Sequence, residues 1–141
     1  MNEAVIKYYR KLLRTRFEYA GSLENPSIYL DTVISKVRIC NHTSDFMHLY
    51  INIVDGTIDD IKYMCICDPT ANVAIEILCS LVKGKTLEEI AGITEKAFFQ
   101  FLGTEDEELG KKAKGLLELL NSGIMHFKAQ TPTRPPLPSV F

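Results

Sequence analysis

From Phe46 to Val54 apolar and polar residues alternate, with Met47, Leu49, Ile51 and Ile53 on one side and His48, Tyr50 and Asn52 on the other. That is the period-two pattern of a half-buried strand. Asp55-Gly56 follows and predicts a two-residue hairpin, because such turns need a positive φ that glycine adopts without cost. Residues 58–66 make the returning strand. Upstream, residues 32–40 are rich in β-branched side chains and end in the polar turn Asn41-His42-Thr43-Ser44-Asp45. The three segments predict an antiparallel meander with one face covered.

On both sides of this region the period becomes helical. Val5, Tyr8, Tyr9, Leu12 and Leu13 recur at helical spacing over residues 2–17, and the stretch from Gly21 to Asn25-Pro26 breaks the pattern. Past the last strand, Asp68 suits an N-cap and Pro69 the first helical position. Ala74, Ile77, Leu78 and Leu81 form a stripe that Ala71, Ile75 and Val82 widen, so this helix belongs at the centre of the fold. Gly84 ends it. Thr86-Leu87-Glu88-Glu89 reads as a capping box for a short helix, and Thr104-Glu105-Asp106-Glu107 as another. A last helix is expected from about 105 to 127 on the core side chains Leu109, Leu116, Leu117, Leu119 and Leu120. The predicted class is α+β: a three-stranded antiparallel sheet with an N-terminal helix and a helical C-terminal half packed on one face. Residues 1–127 form the domain. Residues 128–141, with Pro132, Pro135, Pro136 and Pro138, are expected as an extended or disordered tail.

Composition narrows the function. The chain has 141 residues, 46% of them hydrophobic, and a formal net charge of -2, which suits a single domain with a true core. Charges are mixed and form no basic patch, which argues against nucleic acid as a partner. The longest uncharged apolar run, Ile77-Leu78-Cys79-Ser80-Leu81-Val82, falls far short of the roughly 20 residues of a membrane span. The N-terminus lacks a signal-peptide core. A soluble cytoplasmic protein is expected, with its four cysteines as reduced thiols.

Cys67 stands where the last strand gives way to the central helix. A helix start leaves backbone N–H groups unpaired and carries partial positive charge, and both favour thiolate, the form that attacks sulfur and binds metals. Cys65 falls on the same strand face and reads more readily as core. Cys79, mid-helix in an apolar stretch, reads as packing.

The motifs taken in order resemble a known family. Tyr19 and Asn25-Pro26, then Ser44-Asp45 leading into Phe46-Met47-His48-Leu49-Tyr50-Ile51, then the Asp55-Gly56 hairpin with Ile58 and Ile61, then Cys67 before a helix closed by Leu81-Val82-Lys83-Gly84-Lys85-Thr86-Leu87-Glu88-Glu89 are similar to the NifU/IscU-type iron–sulfur cluster assembly scaffold, the N-terminal domain of NifU. The resemblance spans residues 17–125 and implies a SufE/NifU-like fold. It also implies assembly of a [2Fe–2S] cluster on three cysteines and an aspartate, with sulfur taken from a cysteine desulfurase and the cluster passed to apo iron–sulfur proteins. Asp45 matches the family aspartate and Cys67 the cysteine at the head of the long helix, with one extra residue before Lys-Gly-Lys. Thr43 stands where the first cysteine belongs, and the nearest thiol is Cys40. The third cysteine falls on Lys114, with Ala113 in place of a histidine. Gly110-Lys111-Lys112 replaces the Leu-Pro-Pro-Val-Lys segment. The chain is therefore a divergent member.

With the resemblance, Cys67 is the expected sulfur acceptor, and Cys40, Asp45 and Cys67 the expected metal ligands. Lys114 is a candidate modulator of the site, since an ammonium favours a nearby thiolate but cannot ligate a metal while protonated; a solvated helix face shared with Lys111 and Lys112 explains it equally well. His42 lies in the same turn as Asp45. That turn matches no closed zinc motif, and an ordinary solvated turn with Asp45 bonded to its own backbone explains the residues as well. The expected cargo is a transient [2Fe–2S] cluster or a single iron or zinc ion. A metal-free persulfide relay and a non-catalytic interaction module are the alternatives, and none of the three is an enzyme in the turnover sense.

Overall fold

The computed structural model describes residues 2–32 and 46–130. Eight elements follow in order: α1 (Glu3–Thr15), β1 (Ile28–Asp31), β2 (Phe46–Val54), β3 (Thr57–Ile66), α2 (Pro69–Val82), α3 (Leu87–Ala91), α4 (Glu95–Leu102) and α5 (Glu107–Gln130). The strands form one antiparallel sheet in the order β1-β2-β3, and the helices cover one of its faces, as the hydrophobic pattern predicts.

The β2–β3 hairpin closes on Asp55 and Gly56 with φ of 52° and 72°, the left-handed pair that matches strand twist. Met47, Leu49 and Ile51 are buried. Ile53 is only half-buried, because the register shifts between Asn52 and Ile53 and a bulge breaks the alternation there. Asp68 caps α2 by accepting from the Ala71 N–H at 3.0 Å, and Thr86 and Glu89 complete the capping box of α3. From Val73 to Cys79 every residue of α2 is buried, and the helix is the centre of the core.

Four features depart from the sequence reading. The first described strand is β1 at Ile28–Asp31, ahead of the expected 32–40, of which residues 33–40 lie outside the described residues. Asp106 rather than Thr104 caps α5, accepting from the Leu109 N–H at 2.9 Å. Helix α4 was not anticipated, and its Phe98 is fully buried. Helix α5 continues through Gln130, three residues past the expected end of the domain, and residues 131–141 lie outside the description. Among the described residues no helix is long and apolar enough to cross a membrane.

Helix α5 meets β1 at a glycine. A Cβ on Gly123 would lie 2.8 Å from Leu30 Cδ2 and 3.4 Å from Ile28 Cγ2. Gly123→Val, which drives a branched side chain into both, is expected to destabilise the fold by about 2 kcal/mol through overpacking. Gly123→Ala needs only the Leu30 methyls to shift and gains about 1 kcal/mol of helix propensity, so it should stay near neutral. Urea unfolding of the two variants beside the parent chain measures the difference.

Candidate functional site

Strand β3 ends at Ile66, and Cys67 and Asp68 bridge it to α2. The turn is short because Asp68 takes the first-turn amide of α2 with one carboxylate oxygen. Its other oxygen, Oδ2, lies 3.4 Å from the Nζ of Lys112 on α5. The Lys112 side chain is only 8% exposed and that of Asp68 19%, so solvent screens this pair little. Cys67 and Cys65 are half-buried and packed against the core. Cys79 is fully enclosed; burial pushes its thiol well above the ordinary range, and the Glu76 charge adds to the effect. Its place among the core side chains agrees with the packing role read from sequence.

The sequence pointed to Lys114 as the cation near the thiol. In the structure Lys114 is exposed, Ala113 is buried, and Lys112 is the lysine that reaches the head of α2. Two helical residues are about 200° of rotation, which separates the two lysines onto opposite sides of α5. Cys40, His42 and Asp45 lie outside the described residues. Among the described residues no three His, Cys, Asp or Glu side chains gather as a metal-binding group.

A second polar cluster centres on Glu76, about two turns into α2. Glu76 is 2% exposed. Its Oε2 accepts from the Tyr63 hydroxyl at 2.9 Å and from the Tyr19 N–H at 3.2 Å, and the Tyr63 hydroxyl also lies 2.9 Å from Asn72 Oδ1. Burial holds the Glu76 carboxyl above its ordinary value, while the Tyr63 hydroxyl and the Tyr19 amide pull the other way. Burial, with the Glu76 charge behind it, pushes the Tyr63 phenol far up. Sequence reasoning passed over Glu76, although one signal was present: a lone acid between Ile75 and Ile77 on an otherwise apolar helix.

No protein-family model matches the chain, and no curated protein matches it. Solved structures do. The chain is similar to the N-terminal domain of a nitrogen-fixing NifU-like protein from Brucella abortus, at 13% identity and a TM-score of 0.61, over 92% of this chain and 95% of that one. A hypothetical protein matches at 15% identity and a TM-score of 0.55, over 84% of this chain and 98% of that one. A candidate iron–sulfur cluster assembly scaffold for the SUF system of Fervidobacterium islandicum AW-1 aligns at 19% identity and a TM-score of 0.48, over 91% of this chain and 86% of that one. The fold is that of a NifU-like N-terminal domain, as the ordered motifs suggested.

The Glu76 cluster yields a pH dependence. A carboxyl whose folded pKa is raised contributes stability that is fully present below its unfolded value and is lost as pH rises through the folded value. The parent chain should therefore lose melting temperature relative to Glu76→Gln as pH is raised above 4.5, the ordinary value of the group, and the gap should close on the acid side. Thermal melts of both proteins from acid to neutral pH measure it; a gap that widens toward acid contradicts the assignment.

Proposed function

We propose that this protein is a scaffold of iron–sulfur cluster assembly in which Cys67 accepts sulfur from a cysteine desulfurase. The observation that supports this reading best is the junction itself. A half-buried thiol sits at the head of a core helix, in a NifU-like fold, beside a carboxylate whose charge is met by the buried Lys112. Without that lysine, Asp68 would set a negative charge next to any thiolate or persulfide at position 67. Lys112 is thus a positioning residue that lets the site hold anionic sulfur.

In the transfer step the Cys67 thiolate attacks the terminal sulfur of the donor's cysteine persulfide. A bond forms between Cys67 Sγ and that sulfur, and the donor's S–S bond breaks. The donor thiolate leaves with the electron pair, and the persulfide proton stays on the transferred sulfur. No net oxidation occurs, and one sulfur is taken up per chain rather than turned over. Iron, as cargo, would meet Cys67 together with Cys40 and Asp45 when those residues approach it, and the assembled cluster would pass to an apo iron–sulfur protein in the cytoplasm. A metal-free persulfide relay is the second reading, favoured by Lys112. An ammonium at the head of α2 suits an anionic persulfide and supplies no ligand for a metal.

Mass spectrometry after incubation with a cysteine desulfurase and cysteine tests the first step. The parent chain and Cys65→Ser should gain one sulfur atom, and Cys67→Ser none; loading elsewhere overturns the reading. Anaerobic reconstitution with iron and sulfide then separates scaffold from relay. Under the scaffold reading Cys40→Ser loses bound iron and visible absorbance; under the relay reading the parent chain itself retains neither.

Lys112 gives a further expectation. Lys112→Met should slow alkylation of Cys67 by iodoacetamide about tenfold, the scale of one charge-assisted contact, and move its pH profile toward alkali. Lys112→Arg should restore both. A profile unmoved by Lys112→Met assigns the lysine to stability alone.

A further inference from the structure

The outer edge of β3, away from β2, is largely occupied by the chain itself. Ile58 exchanges bonds with Gly84 and Lys85 at 2.8 and 3.0 Å. The Ile61 N–H is capped by the Asp60 carboxylate at 2.9 Å. Tyr63 donates to Tyr19 at 2.9 Å and accepts from Gly21 at 2.8 Å, around a parallel bridge with Ala20. By strand alternation the next backbone pair on this edge belongs to Cys65. Its partner in β2, Met47, turns both backbone groups toward Thr32 instead, at 3.1 Å from its carbonyl and 3.2 Å from its amide, so the Cys65 N–H and C=O face outward. Among the described residues neither has a hydrogen-bond partner.

The reason the edge stops at Tyr63 is Gly21. Its φ of 140°, open to glycine and costly for other residues, turns the chain away from the sheet. Between the departing segment and the end of β3 this leaves a cleft of 790 Å³ lined by Phe17, Ala20, Phe46, Tyr63, Cys65 and Ile66 among others, with no charged side chain among its described lining residues. A cleft of that size falls within the range that binds ligands.

We propose that the open backbone pair at Cys65 is a strand-addition site that takes an extended, uncharged peptide segment of another protein. The segment continues the pairing that residues 19–21 already make with β3 and seats one apolar side chain in the cleft. Main-chain bonds supply affinity and the cleft supplies selectivity, as in other sheet-edge recognition. The site stands independently of sulfur chemistry at Cys67. Its position gives it a use there, because two residues of strand, about 7 Å, carry a bound segment from Cys65 to the thiol.

A phage-displayed library of random octapeptides, panned on the full chain, supplies the probe, and amide hydrogen exchange by NMR supplies the readout. In the protein alone the Cys65 N–H should exchange rapidly while that of Tyr63 is protected. The selected peptides should carry apolar residues at alternate positions and slow exchange at Cys65 about tenfold or more. Cys65→Pro removes the N–H, which β2 does not use and a strand edge tolerates, and should weaken binding about tenfold. Protection of the Cys65 amide in the protein alone overturns the proposal, as does a selection in which no peptide slows its exchange. The exchange experiment decides the matter on the unaltered chain, whatever Cys65→Pro does to folding.

Discussion

The site depends on the division of labour within one carboxylate. One oxygen of Asp68 closes the first turn of α2, a contact worth about 1 kcal/mol in a typical N-cap. The other oxygen meets Lys112 and fastens α2 to α5. These two helices carry much of the core, so the strand-to-helix junction holding Cys67 is braced from both sides. A capping serine or threonine would make the first contact and leave the second unmade. An aspartate does both, and in doing so it places charge beside the thiol. The buried ammonium stabilises the carboxylate that caps the helix, and in the proposed reading it also offsets a charge that would oppose anionic sulfur. Removing either partner of such a buried pair leaves the other exposed to the desolvation penalty, so the junction is sensitive to both residues.

Glu76 does for the N-terminal segment what Asp68 does for α5. Its carboxylate reaches out of α2 to the Tyr19 amide and the Tyr63 hydroxyl, tying residues 19–21 to the edge of β3. Burying an acid costs free energy unless its oxygens are bonded, and here two donors on one oxygen lower that cost without removing it, which is why the carboxyl remains above its ordinary range. The consequence is positional. With residues 19–21 fixed against Tyr63, the chain must leave the sheet at Gly21, and the edge beside Cys65 stays open. The cleft is therefore bordered by the segment that the buried acid anchors.

What could be read from the sequence followed the range of the interactions that produce it. The β2–β3 hairpin and the start of α2 were legible because alternation, Asp55-Gly56 and Asp68-Pro69 act within a few residues. The short strand β1 offered only four residues, too few for a pattern. Helix α4 is short and aromatic-rich, and its Phe98 is explained by burial against its neighbours rather than by local preference. At the head of α5 both Thr104 and Asp106 satisfy local capping rules, and the first-turn amide of Leu109 goes to Asp106. Lys112 and Lys114 illustrate the limit most directly. Both lie in one basic run, and only the rotation of α5 against α2, set by Leu109, Ala113 and Leu116 in the core, decides which lysine turns inward.

That rotation also bears on how this domain differs chemically from what the family resemblance implies. A thiolate ligand on α5 would complete a metal site, whereas a lysine there supplies charge without coordination. Lys112 pairs with Asp68 and offers a metal no ligand while protonated, so a metal bound at Cys67 would have to draw its remaining ligands from elsewhere, with Cys40 and Asp45 as the candidates the sequence offers. Sulfur makes no such demand. A persulfide needs one nucleophilic thiol, a nearby positive charge and a route for the donor to approach. In the proposed reading Cys67 and Lys112 are the first two, and the open edge beside Cys65 is the candidate for the third. Within the proposed reading, sulfur uptake is therefore the step that calls on the junction alone, and metal capture the step that calls on residues beyond it.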